Sequence, residues 1–334
     1  KHDEGLKFTG MNYPYGEHMF FPDAQPILAV PFNWINKNVV RIEHQTIGIN
    51  IGMLFLAVGF CGLFMFLILR KFNLPSWYAV PIAVLIACLS PQLNRIYTHQ
   101  SLSYTAYIPM LWYTILSYED ATKRKWLRLF ILSFLIFFFA GLHLYYLALG
   151  FLFIAAYIGI VFISNLKTLK STWKRIISLF IAGVIPLVIY QVFLNMTDVD
   201  IATRIQNPWG FFYYTSRFES IFIPTYTPFE TLVRYYFKMP EIRWEGYGAV
   251  GVIGSLVMIF TIIRVIRFSI KKRFIRFVRF TSMTRLNQFM WSSVLLLLFS
   301  MAVPFVWGMK DLLDYIPQLK QFRSVGRFNW VFYY

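Results

Sequence analysis

Charge is what this 334-residue sequence has least of. Only 14% of its residues are charged, against roughly 25% in an average soluble domain. Acids are the scarcer sign, with 15 Asp+Glu against 32 Lys+Arg. Cysteine is nearly absent: Cys61 and Cys88 both lie inside apolar runs, which excludes a disulfide framework and a Cys-based metal cluster. An initiator Met is missing too. The chain opens at Lys1 and stops at Tyr334 within an aromatic stretch, so it is expected to be an internal piece of a longer protein. In place of charge the sequence is 58% hydrophobic and 20% aromatic. That content excludes disorder, and it makes a soluble nucleic-acid binder a poor account of the +17 net charge. The expected class is a polytopic membrane protein, all-α, with no nucleic-acid partner.

A helix needs about 20 apolar residues to cross the hydrocarbon layer. Runs of that kind occupy Ile49–Leu69, Trp77–Leu93, Leu102–Tyr118, Ile176–Leu194, Gly248–Ile263 and Phe289–Val306. Trp126–Ile163 is too long for one span and is read as two helices meeting at Gly141-Leu142-His143. The count is about eight spans, and Phe328–Tyr334 begins another. Lipid offers unpaired backbone groups no partner, and runs this long are not barrel strands, so a helical bundle is predicted. The organisation expected is a first extracytoplasmic loop at 1–48, helices with short loops at 49–194, a long aromatic extracytoplasmic loop at 195–247, and further helices at 248–334.

Basic residues test this arrangement, because cytoplasmic loops collect them. The loops at 70–71, 119–128, 167–175 and 264–285 contain 18 of the 32 basic residues and only Glu119 and Asp120 of the acids, a net of +16. The other side keeps 14 basic and 13 acidic residues. The block at 264–285 includes an amphipathic stretch with Ile266, Ile270, Phe274 and Phe277 on one face, expected to lie against anionic lipid headgroups.

The balanced outer side is where chemistry is expected. Its first loop contains Asp3, Glu4, Glu17, His18 and Asp23, and Pro14, Gly16, Pro22 and Pro26 punctuate residues 10–26, which predicts a fixed irregular loop. A Glu-His pair and an Asp held there can supply a general base, or the segment can be an ordinary solvated loop. Arg95 and His99 follow one span, and His143 sits at the Gly141 break; polar residues at span ends tend to face a bundle interior. No short His spacing supports a metal, so no metal ligand is assigned, and a divalent ion (Mg or Mn) is left open as cofactor. The later loop carries Arg217, Arg243 and Glu245 among aromatic residues, and Arg323 and Arg327 lie near the end. A guanidinium beside aromatic rings suits a lipid phosphate.

In order and common sidedness, Met11-Asn12-Tyr13-Pro14-Tyr15-Gly16-Glu17-His18, Arg95…His99, Gly141-Leu142-His143-Leu144-Tyr145-Tyr146, Trp244-Glu245-Gly246-Tyr247 and Arg323-Ser324-Val325-Gly326-Arg327-Phe328 resemble bacterial membrane glycosyltransferases of the C-type (GT-C) fold. The resemblance covers almost the whole chain through short motifs. It implies a polyprenyl-phosphate sugar as donor, an envelope protein or glycan as acceptor, and a bacterial cytoplasmic membrane with the active face outward. An acidic residue of the first outer loop would act as base, with Asp23 favoured over Glu17, Asp3 and Glu4. His18, Arg95, His99, His143, Arg217, Arg243, Glu245, Arg323 and Arg327 would line the substrate site. That family's first acid commonly follows the first span directly, and this sequence is expected to begin beyond that point. Two other classes fit the composition: a flippase or transporter of lipid-linked glycans, and a non-catalytic membrane scaffold of an envelope complex.

Overall fold

The computed structural model describes residues 5–9, 16–200, 208–223, 229–237, 244–272 and 284–334. Their regular secondary structure is helical apart from one antiparallel pair of two-residue strands, β1 (Lys7–Phe8) and β2 (Glu17–His18), in which Lys7 faces His18. The chain divides into two units. Residues 1–155, 168–203 and Tyr334 form the first; 156–167 and 204–333 form the second.

The first unit is built from α1 (Pro26–Asn38), α2 (Thr46–Lys71), α3 (Ser76–Cys88), α4 (Tyr107–Asp120), α5 (Lys125–Ala140), the first half of α6 (Leu144–Ser164) and α7 (Leu169–Thr197). In α2 the buried positions Leu54, Ala57, Cys61, Met65 and Ile68 recur every three or four residues, while Phe55, Leu56, Phe60 and Leu63 are exposed. A helix apolar all round but buried along one stripe is what a lipid environment requires. Against it α3 sets an alanine stripe, Ala79, Ala83 and Ala87, whose small side chains let two backbones come close. At the centre is α4, with ten of its 14 residues buried. Tyr107 there packs its ring on Phe139 and Tyr146 and donates its hydroxyl to the Tyr146 carbonyl at 2.8 Å.

Among the described residues, four segments are long and apolar enough to cross a membrane: Glu43–Lys71, Ser76–Tyr97, Leu144–Ser164 and Leu169–Thr197. This fits an integral membrane protein. The expected break in Trp126–Ile163 is present, with α5 ending at Ala140 and α6 starting at Leu144. Elsewhere the limits differ. The run from Leu102 becomes helical only at Tyr107, because Gln100–Leu102 forms a separate 3-10 turn. The run Phe289–Val306 leaves the helix at Ser300; Ala302 takes a left-handed conformation (φ 56°), and Pro304 has no amide to continue the ladder.

The two ends of the first unit differ in chemistry. At one end the charged helix termini pair across elements: Lys71 Nζ lies 2.7 Å from Asp120 Oδ2, and Arg175 Nε donates to Glu119 Oε1 at 2.5 Å. Those are the residues assigned to the cytoplasmic face from sequence. At the other end the N-terminal segment, residues 98–104, the Gly141 break and the end of α7 meet. Ile27 N–H donates to the Gly141 carbonyl at 3.0 Å, and a Cβ at Gly141 would come within 2.7 Å of the Ile27 Cβ, so only glycine admits this approach.

The second unit contains the rest of α6, α8 (Glu219–Phe222), α9 (Phe229–Phe237), α10 (Gly251–Lys272) and α11 (Thr284–Ser300). Its core packs Tyr157 of α6 on Phe289 of α11, and Phe299 of α11 edge-on to the buried Phe328; Trp330 is buried as well. The basic stretch expected at the headgroup layer is helical as far as Lys272, and 273–283 lie outside the described residues.

Candidate functional site

The segment expected to be loop down to residue 48 contains a helix, α1, and a cavity of about 400 Å³ opens between it and the start of α2. Pro26 at the first helical turn fixes φ where a missing amide does no harm. From α1 the wall takes Gln25, Leu28, Ala29, Phe32, Asn33 and Asn36; from α2 it takes Thr46, Ile49, Asn50 and Met53. Both sets follow the three-and-four spacing of one helix face. Asp23, Ile42, Glu43 and Gln100 complete the lining with Ala24.

Several hydrogen bonds hold this wall. Asp23 is exposed, and its Oδ1 accepts from the Ser101 amide at 2.9 Å. Gln25, buried at the helix start, takes a left-handed backbone (φ 50°, ψ 57°), unusual for a residue with a side chain. Its Oε1 accepts from the Tyr104 hydroxyl at 2.5 Å. Burial raises the Tyr104 phenol above its ordinary range, and the nearby Asp23 carboxylate raises it further, so Tyr104 stays a protonated donor. Asn50 Nδ2 donates to Gln100 Oε1 at 2.6 Å, tying α2 to the 3-10 turn. At the far end of α1, Asn36 Oδ1 accepts from the amides of Ile42 (2.7 Å) and Glu43 (3.0 Å).

Of the described sequence-nominated residues in this unit, Asp23 alone lies on the cavity wall. Glu17 is half-buried and accepts from the His18 amide. His18 is buried instead in an aromatic nest with Phe20, Phe21 and Phe193, its Nε2 3.2 Å from Thr197 Oγ1 at the end of α7. His143 accepts the Tyr145 amide on Nδ1 within the Gly141 break. Arg95 is only 1% exposed, and its carbonyl takes the amides of Thr98 and His99. His99 precedes Gln100 and lends its carbonyl to the Leu102 amide. Asp3, Glu4 and Arg243 lie outside the described residues.

In the second unit, Glu245 and Arg327, nominated separately as substrate contacts, are partners of each other. Arg327 Nε and Nη2 donate to Glu245 Oε2 and Oε1, each at 2.7 Å, and Ser324 Oγ adds a bond of 3.1 Å to Oε2. Both side chains are buried, at 8% and 5% exposure. A guanidinium so engaged is held in place within the fold by its pairing with Glu245. The neighbouring backbone is as tightly built. Gly326 N–H donates to the Tyr214 carbonyl at 2.8 Å, and Asn329 Nδ2 reaches Ser216 Oγ and the Gly246 carbonyl. Arg323, by contrast, is exposed and sits 5.2 Å over the Trp209 ring. Arg217 is exposed at the start of α8, its amide held by Ser220 Oγ.

Among the described residues no three His, Cys, Asp or Glu side chains converge as metal ligands. What sequence reasoning missed is the carboxamide set Gln25, Asn33, Asn36, Asn50 and Gln100. The signal was the helical spacing of 25, 28, 29, 32, 33 and 36, hidden by the Pro and Gly punctuation just before it.

A family described as Domain of unknown function (DUF6311) matches residues 4–334, and the chain belongs to that family. No curated protein and no solved structure matches the chain.

Proposed function

We propose that this DUF6311 member is a membrane glycosyltransferase of the GT-C type, which moves a sugar from a polyprenyl-phosphate donor to an envelope acceptor bound in the Asp23 cavity. The observation that carries the reading is a carboxylate anchored on one oxygen by a backbone amide, on the wall of a cavity otherwise rich in carboxamides. Hydroxyl-bearing ligands are bound by such groups, which both donate and accept. In this scheme Asp23 takes the proton of an acceptor hydroxyl, that oxygen bonds to the anomeric carbon, and the carbon–oxygen bond to phosphate breaks. The electron pair departs on the polyprenyl phosphate.

The proposal places the protein in a bacterial cytoplasmic membrane with the cavity facing outward. It counts α4, α5, α10 and α11 as further spans, making eight with the four longer ones. The clustering of Lys71, Asp120, Glu119 and Arg175 at the end of the first unit away from Asp23 supports this orientation.

Membranes carrying the complete protein should transfer label from a radiolabelled polyprenyl-phosphate sugar into envelope material. Asp23→Asn should lower that rate by about 10²–10⁴, the usual worth of a general base. An unchanged rate removes Asp23 from the role. No transfer by wild type to any acceptor removes the enzyme class and leaves the scaffold or the flippase.

A further inference from the structure

The cavity's charge and donor inventory narrow its ligand. It contains two carboxylates, Asp23 and Glu43, and no Lys or Arg among the described residues that line it. An anion entering would meet two like charges with no cation to offset them, and like-charge juxtaposition discriminates strongly against a wrong partner. The remaining polar lining is uncharged and amphoteric, a carboxamide having both N–H donors and a carbonyl acceptor. Asn33 is exposed on the inner stripe of α1, and Asn50 and Gln100 form a joined pair on the opposite wall. Apolar Phe32, Ile49 and Met53 alternate with them. A polar and apolar mixture of this kind matches a pyranose, whose edges present hydroxyls and whose faces present C–H groups. The volume, about 400 Å³, lies in the range of small-molecule sites, roughly 300–1,000 Å³.

We infer that this cavity binds an uncharged sugar residue of a glycan, and that it excludes sugar phosphates and uronic acids. The inference rests on the reading of the cavity as the acceptor site and makes it specific. Accordingly, the donor's phosphate binds outside this cavity, and the acceptor is a neutral or N-acetylated sugar, not an acidic polymer.

The test is binding, read without any transfer. The full protein in lipid nanodiscs, free of maltoside detergent, is titrated by saturation-transfer NMR with maltose, cellobiose and chitobiose, and in parallel with glucose 6-phosphate and glucuronic acid. The neutral sugars should give saturation transfer, and the anionic ones should bind at least about tenfold more weakly. Asn33→Leu, on an exposed helix face where folding does not depend on it, should weaken neutral-sugar binding. Asn33→Lys should narrow the gap between neutral and anionic probes by supplying the missing cation. Equal binding of both classes overturns the inference, as does the absence of binding by any neutral probe, or neutral binding that neither Asn33 variant alters. Because the transferase assay is separate, neutral-sugar binding without transfer would retain this site and discard the enzyme, while transfer without neutral-sugar binding would do the reverse.

Discussion

Removing one member of the Glu245–Arg327 pair leaves the other charge buried, and the consequences can be worked from its geometry. Three hydrogen bonds converge on the Glu245 carboxylate, two from Arg327 at 2.7 Å and one from Ser324 at 3.1 Å, with both charged side chains under a tenth exposed. Deleting one partner of such a pair costs about 3–5 kcal/mol, whereas replacing both with uncharged groups is often close to neutral. Arg327→Met should therefore cost about that much by leaving a carboxylate unpaired, and Glu245→Gln somewhat less, because the amide carbonyl still accepts one bond. The double variant should cost no more than either single one. Thermal denaturation of the protein in nanodiscs reads this out: at roughly 2–4 °C per kcal/mol, each single variant falls by on the order of 10 °C. Strict additivity across the cycle would refute the argument, since it would mean that the two groups do not depend on each other. A stable Arg327→Met with impaired transfer would return Arg327 to the substrate.

Three further outcomes follow from the same geometry. Gly141→Ala places a methyl against Ile27 where the two Cβ atoms would lie 2.7 Å apart, so it should destabilise by about 1–3 kcal/mol and displace the start of α1, measured as a melting shift together with reduced sugar binding. Tyr104→Phe removes the donor to the buried Gln25 carbonyl oxygen and should cost about 1–3 kcal/mol by the same denaturation assay. Asp120→Asn, which breaks a pair whose side chains are 26% and 41% exposed, should change stability by less than about 1 kcal/mol, and a larger change would show that the charged end of the unit is more enclosed than its exposure indicates.

Helices were legible from sequence where burial demands nothing but apolar length. Lipid imposes that requirement on α2, α6 and α7 through composition alone, and the Gly141 interruption was equally visible. The limits of α4 and α11 were not, because a 3-10 turn at Gln100–Leu102 and a left-handed Ala302 are local backbone choices inside runs that remain hydrophobic. Asp23 was nominated because Pro22 and Pro26 bracket it, and it does lie on a cavity wall. The rest of that wall comes from α1 and α2, which are joined by a loop and folded face to face; two stripes on separate helices become one surface only after the chain turns. Glu245 and Arg327 were both singled out, yet their pairing spans 82 positions and belongs to tertiary structure. His18 and His143 sit at the expected end of the unit, His18 beside Thr197 and His143 accepting the Tyr145 amide, contacts between positions that their spacing in the sequence does not announce.

The helix that forms one side of the cavity is clasped at both ends: by Gly141 and Tyr104 where it begins, and by the Asn36 carbonyl oxygen, which holds two amides of the following loop, where it stops. The conformational entropy of ordering this segment is therefore lost when the chain folds, not when a ligand arrives. Association with a weakly binding, heavily hydrated molecule is then opposed mainly by that molecule's own rigid-body freedom and desolvation. A wall prepared in this way is suited to ligands that bring little hydrophobic surface of their own.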